Sequence, residues 1–338
     1  MTVQKRTGNK KKVYIISLII LMLFLVISLC TGRYPLEVRE IGRILSGQGA
    51  DETAKSVFLT LRLPRTVMAF IAGAGLSMAG SIYQDIFRNP LASPDLIGVT
   101  SGAGAGAAFA IVCFGQGGGM VVGSAFAGGL IAVGAAVALA GMAGHRSASD
   151  FVLAGIAVRA LADSFIMAMK YLADPERQLA SIEYWTMGSF SSMTYEKLMT
   201  AAPVVLAGFI GLLFFRWQIQ MLSLADDEAA MLGVSVRVVR ISVLALTTLI
   251  VAGIVSVTGA ISFIGLVAPH IARILLKENG FSAAVLSGLV GSIIMLAADC
   301  LARSLGGSEI PVSILTSLLG VPVLVWLLVG NRRGVNGN

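Results

Sequence analysis

Ala225-Asp226-Asp227-Glu228-Ala229-Ala230-Met231-Leu232-Gly233-Val234-Ser235-Val236-Arg237-Val238-Val239-Arg240 interrupts an otherwise apolar sequence. Asp226, Asp227 and Glu228 suit a helix N-terminus, where free N–H groups and the helix dipole favour negative charge. Ala229, Ala230, Met231 and Leu232 continue that helix, and Gly233 can end it in a left-handed turn. The stretch predicts a short surface helix, a tight turn and a basic lead-in to the next apolar segment. Such a helix is either an ordinary polar connection between two membrane spans or a knob on which a soluble partner docks.

The flanking sequence explains why the stretch stands out. Of 338 residues 56% are apolar and only 13% charged, and the mean hydropathy is +0.87. Several uncharged runs reach about 18 residues, the length that crosses a bilayer core. The chain is therefore expected to be an all-α polytopic membrane protein. Its 39 glycines suit close helix approach in lipid. No basic stretch interleaved with aromatics argues for nucleic acid. Cys30, Cys113 and Cys300 lie far apart in apolar segments, and only His145 and His270 are histidines, so no metal site is expected.

Ten spans are predicted: Val13–Thr31, Thr66–Gln84, Leu96–Phe114, Met120–Met142, Phe151–Leu172, Leu198–Trp217, Ile241–Thr258, a short broken segment Gly259–Arg273, Ser282–Leu301 and Val312–Val329. Residues 1–12 are expected to form a basic cytoplasmic N-terminus, 13–330 a ten-helix transmembrane domain and 331–338 a cytoplasmic tail. Gly98, Gly102 and Gly106 make two overlapping GxxxG steps, which predicts that the third span packs closely on another helix. Arg159 and Asp163 lie inside the fifth span at i, i+4, so they can pair, as a neutralised structural couple or in the lining of a pathway. A short interfacial helix anchored by Trp185 is expected outside. With both termini inside, the inner segments carry 14 basic residues against seven acids and the outer segments nine of each, which fits the positive-inside bias. Ser77-x-x-Gly80 is followed ten residues later by Pro90, and Ser256-x-x-Gly259 by Pro269, an echo between spans of opposite direction.

No lysine follows a glycine, so the G-K-[ST] core of a P-loop is absent, as are GxSxG, HExxH and CxxC. Any energy for active transport must come from another chain or an ion gradient. Glu228-Ala229-Ala230-x-x-Gly233 resembles the EAA loop of ABC-importer permeases. Together with Arg62-Leu63-Pro64-Arg65, Gly80, Asn89-Pro90-Leu91-Ala92 through Gly98, Trp185-x-Met187-Gly188 and Gly259 to Arg273, it makes the sequence resemble FecCD permeases from about Val13 to Gly330. The resemblance implies a type II ABC importer for ferric siderophores, haem or cobalamin in a bacterial inner membrane. It implies ten-helix subunits paired as a homodimer or with a paralogue, two ATPase subunits below and a substrate-binding protein above. On that reading 226–240 holds the ATPase-coupling element, with Asp226, Asp227, Glu228, Ala229, Ala230 and Gly233 at its centre. ATP and Mg belong to the partner, and this chain has no catalytic residue and no cofactor. Arg62, Arg65 and Arg303 match arginines that pair with acids on the binding protein, and Arg62 and Arg65 are expected to reach the aqueous surface. Asp299, at i−4, could instead neutralise Arg303. The competing reading is an ion-driven secondary carrier, for which only Asp163 and Asp299 could bind the coupling ion; each has an arginine at i±4. Ferric siderophore is the default cargo.

Overall fold

A helix is the one open structure that satisfies its own backbone in lipid, and the chain uses it throughout. The computed structural model describes residues 2–47, 51–115, 117–142, 148–305 and 309–335, with side chains described between Lys10 and Val325. The described helices are α1 (Thr2–Cys30), α2 (Val38–Ser46), α3 (Glu52–Ser56), α4 (Leu63–Phe87), α5 (Val99–Phe114), α6 (Gly118–Met142), α7 (Ala148–Leu172), α8 (Gln178–Thr186), α9 (Tyr195–Phe214), α10 (Arg216–Leu222), α11 (Asp226–Met231), α12 (Val236–Thr258), α13 (Ile264–Leu276), α14 (Phe281–Ser304) and α15 (Val312–Val335). A π-helical turn, Val57–Arg62, leads into α4, and a 3-10 turn, Pro94–Ile97, precedes α5.

Among the described residues, seven helices are long and apolar enough to cross a membrane, namely the apolar parts of α1, α4, α6, α7, α9, α12 and α14. Three shorter apolar helices, α5, α13 and α15, stand where the third, eighth and tenth spans are predicted. The predicted boundaries shift at several points. Helix α1 starts at Thr2, so residues 2–12 continue the first span as helix, and α15 runs on to Val335. Gly259–Phe263 is not helical; α13 starts at Ile264, after Phe263 adopts a left-handed backbone at φ 67. The sixth span ends at Phe214, and α10 follows as a separate short helix. The inner loop with His145 and Arg146, and the tail residues 336–338, lie outside the described residues.

The bundle is organised around α4, which is buried along almost its whole length. Small residues let neighbouring backbones press against it. A Cβ on Gly73 would lie 2.5 Å from the Gly291 carbonyl oxygen of α14, and one on Gly80 would collide with the Gly265 carbonyl of α13. The GxxxG expectation holds for two of its three glycines. A Cβ on Gly102 would lie 2.6 Å from the Gly128 oxygen, and one on Gly106 would collide with the Ser124 carbonyl, both on α6. Gly98 instead caps the 3-10 turn at φ 84, with its neighbours on α7. The internal echo has a packing counterpart. Gly73, four residues before Ser77, meets Gly291 on α14, and Ala252, four before Ser256, meets Gly129 on α6. Matched positions of α4 and α12 thus pack on helices from the opposite half of the chain.

Candidate functional site

The opening stretch folds as the sequence predicts. Helix α11 covers Asp226–Met231, and the Glu228 carboxylate accepts a hydrogen bond from the Ala225 N–H at 3.3 Å. Ala229 is buried, whereas Ala230, Met231, Leu232 and Gly233 are exposed, Met231 by 86%. Gly233 takes φ 81, and its N–H donates to the Ala230 carbonyl at 2.9 Å, closing the helix. The knob is clamped to the bundle by two arginines that gave no signal in the sequence. Arg240 of α12 donates Nη2 to Asp226 Oδ1 and Oδ2 at 3.0 and 3.1 Å, and Arg88 at the end of α4 also donates to Asp226 Oδ1. Arg240 is buried, and Arg88 has a left-handed backbone, φ 46. Asp226 thereby ties the exposed knob to the ends of two spans. Asp227 carries no such clamp and stays on the exposed face.

A second polar cluster lies within the bundle. A half-open cavity of about 460 Å³ lies between α5, α7, α8 and the non-helical residues before α13. Arg159 and Asp163 line it with Asp95, Thr100, Trp185 and Phe263. Arg159 Nε is 3.6 Å from Asp163 Oδ2, and their side chains are 47% and 46% exposed. The pair predicted from the i, i+4 spacing is present, and it lines a cavity. Thr100 donates its hydroxyl to Asp95 Oδ1 across the start of α5.

The outer arginines correct the expectation of free surface cations. Arg62 and Arg65 are 4% and 7% exposed. Arg62 donates Nη1 to the Leu29 and Cys30 carbonyls at 2.8 and 2.6 Å and Nη2 to the Tyr34 carbonyl, which caps the end of α1. Arg65 bonds Asp299 Oδ1 at 2.9 Å through Nε and Glu309 through Nη1 at 2.8 and 3.0 Å. Arg303 Nη2 stands 2.9 Å from Asp299 Oδ2 and donates to Ser28 Oγ at 2.8 Å, while Nη1 reaches the Thr31 carbonyl. The physical reason is the unpaired carbonyls at the end of α1 and the fully buried Asp299, which need donors more than the surface needs cations. All three arginines nonetheless line a cavity of about 310 Å³ beside Glu309. Glu309 gave no signal in the sequence, because it lies 244 residues from Arg65.

The family model for the FecCD transport family matches residues 20–330. The chain belongs to the FecCD transport family. It is 37% identical over 322 residues to the molybdate import system permease protein MolB of Haemophilus influenzae, covering 94% of this chain and 95% of that protein. It is 34% identical to the hemin transport system permease protein HmuU of Yersinia pestis, over 87% of this chain and 90% of the relative. A solved inward-facing ABC transporter assigned to the metal-chelate type superposes with a TM-score of 0.84 at 36% identity, covering 95% of this chain and 99% of that one. This FecCD member is therefore a membrane-spanning permease subunit of an ABC transporter. Family membership removes the ion-driven alternative, and the two intramembrane acids it needed are both held by arginine, Asp163 by Arg159 and Asp299 by Arg65 and Arg303.

Proposed function

We propose that this permease is the transmembrane half of an ATP-driven importer that passes an intact iron chelate, with a ferric siderophore as first choice, from an external binding protein to the cytoplasm. The observation that carries this reading is α11, a clamped helix with an exposed apolar face of Ala230, Met231 and Leu232. Exposed apolar surface next to a tight turn is what a partner's cleft covers. ATP and Mg act on that partner, and this chain carries no cofactor. In this proposal the chain has ten spans with both termini in the cytoplasm of a bacterium, and α11 faces the ATPase. The Arg159–Asp163 cavity is open on one side, and a second copy or paralogue would close it. Its half-exposed charges suit a hydrated cargo path better than lipid contact. Arg62, Arg65 and Arg303 line the cavity beside Glu309, and in this proposal acids of the binding protein dock there by competing for the partners that now hold them.

The hemin relative and the metal-chelate transporter support a chelated metal as cargo. A specific observation favours a second reading, molybdate, because a molybdate permease is 37% identical over nearly the full length. Arg159 facing the cavity would suit an oxyanion as well as an anionic chelate. Proteoliposomes containing the permease, its ATPase and its binding protein separate the two. ATP-dependent accumulation of a radiolabelled ferric siderophore, unaffected by excess molybdate, is expected. Uptake of molybdate alone would replace the cargo assignment, and no ATP-dependent uptake of any cargo would remove the importer reading.

A further inference from the structure

A second large cavity lies across Trp185 from the first, and that indole lines both. It encloses about 530 Å³ between the ends of α5, α6, α8, α9 and α12. One side is apolar, built from Ile111, Val121, Val122 and Val257. The other side is polar and carries Lys197 with the hydroxyl-bearing residues Tyr184, Ser192 and Thr258. Lys197 Nζ donates to the Ser192 carbonyl and to Ser192 Oγ, both at 3.0 Å, which leaves one N–H without a partner in this set. Among the described residues no carboxylate stands within ion-pair distance of Lys197. Glu183 on the adjacent α8 is taken by Lys170 at 2.8 Å.

A partly buried ammonium held only by neutral oxygens attracts an anion. The shape of the cavity selects which kind. A free inorganic anion would use the Lys197 end and leave the apolar wall uncovered, whereas an amphiphile covers both. Basic pockets between membrane helices take up phosphate headgroups for this reason. We propose that this cavity holds an anionic phospholipid, with its phosphate on Lys197 and an acyl chain along Ile111, Val121, Val122 and Val257. The lipid fills the space behind α8 and lies on the outer-leaflet side in the ten-span arrangement. It wedges Trp185, the wall shared with the Arg159–Asp163 cavity.

Native mass spectrometry of the detergent-purified permease tests the site without any transport readout. The probes are phosphatidylglycerol and phosphatidylcholine with identical chains. The wild-type chain should retain phosphatidylglycerol over phosphatidylcholine by about fivefold, the equivalent of one lysine–phosphate attraction. Lys197→Gln should abolish that preference and Lys197→Arg should keep it. Val122→Trp, which fills the apolar side, should lower retention of both lipids. Circular dichroism melts confirm that each variant is folded; if Lys197→Gln is not, Lys197→Arg and Val122→Trp still decide. An unchanged preference in folded Lys197→Gln, or unchanged retention in Val122→Trp, would overturn the proposal. Displacement of phosphatidylglycerol by excess inorganic phosphate would also overturn it, by showing a site for a free anion.

Discussion

Replacing Asp226 with Asn removes the charge that holds α11 to the bundle. Arg240 then faces one neutral amide oxygen in place of two carboxylate oxygens, and its Nε already has no acceptor. Stranding one partner of a buried pair costs about 3–5 kcal/mol, and an exposed pair is worth about 0.2–1 kcal/mol. Here Arg240 is 6% exposed and Asp226 is 48% exposed, so water reaches one partner only. A loss of about 2 kcal/mol follows, confined to the opening of α11, and it corresponds to a roughly 30-fold larger opening constant. Hydrogen exchange reads it at two amides, Ala229 N–H, bonded to the Ala225 carbonyl, and Val234 N–H, bonded to the Ala229 carbonyl. Both should exchange about 30-fold faster in Asp226→Asn, with the α4 and α14 amides unchanged. Arg240→Gln should be the milder variant, because it removes the buried charge instead of stranding it. Exchange in Asp226→Asn within twofold of wild type, or a larger effect from Arg240→Gln, would refute the clamp.

Asp299→Asn should lower the melting temperature in detergent more than Glu309→Gln, because it removes the one fully buried charge that Arg65 and Arg303 share, while Glu309 is one-third exposed and Arg65 keeps Asp299 without it. Glu309→Gln should also free Arg65 Nη1 from a carboxylate, with Nε still on Asp299, and speed docking of the binding protein, measured as an on-rate to permease in nanodiscs; an unchanged or slower on-rate would count against docking through Arg65. Gly80→Ala should abolish folded expression, since the new Cβ would collide with the Gly265 backbone, and Gly134→Ala, with open space around it, should express normally. Arg159→Gln and Asp163→Asn should each leave the melting temperature within about 1 kcal/mol equivalent of wild type, because both side chains are half exposed, but should lower cargo uptake; a large loss of stability would make the pair purely structural.

Periodic and local features were legible in the sequence. Helix α11 was readable because three acids, two alanines and a glycine specify start, body and end within eight residues. The Arg159–Asp163 pair followed from i, i+4 spacing alone. Close packing of Gly102 and Gly106 was readable for the same reason, although the sequence could not say that Gly98 turns the chain instead. Long-range partners were not legible. Arg62 and Arg65 look like surface cations because nothing nearby pairs with them, yet their acceptors lie in α1, on α14 and at Glu309. Arg88 and Arg240 read as ordinary inner-loop bases until the fold brings both to Asp226. Boundaries moved where a single backbone angle decides, as at Phe263, whose left-handed turn delays α13 to Ile264.

In the proposed importer α11 joins this permease to a separate ATPase. The most direct test is retention of the ATPase when the permease is purified from its native membrane, compared between wild type and Ala230→Arg. Ala230 is exposed on the knob, so arginine there leaves the bundle intact and places a bulky charge in the contact. The account predicts a stoichiometric ATPase with the wild-type chain and loss of nearly all of it, with ATP-driven uptake, in a folded Ala230→Arg variant. An ATPase that stays bound and active with Ala230→Arg would contradict it.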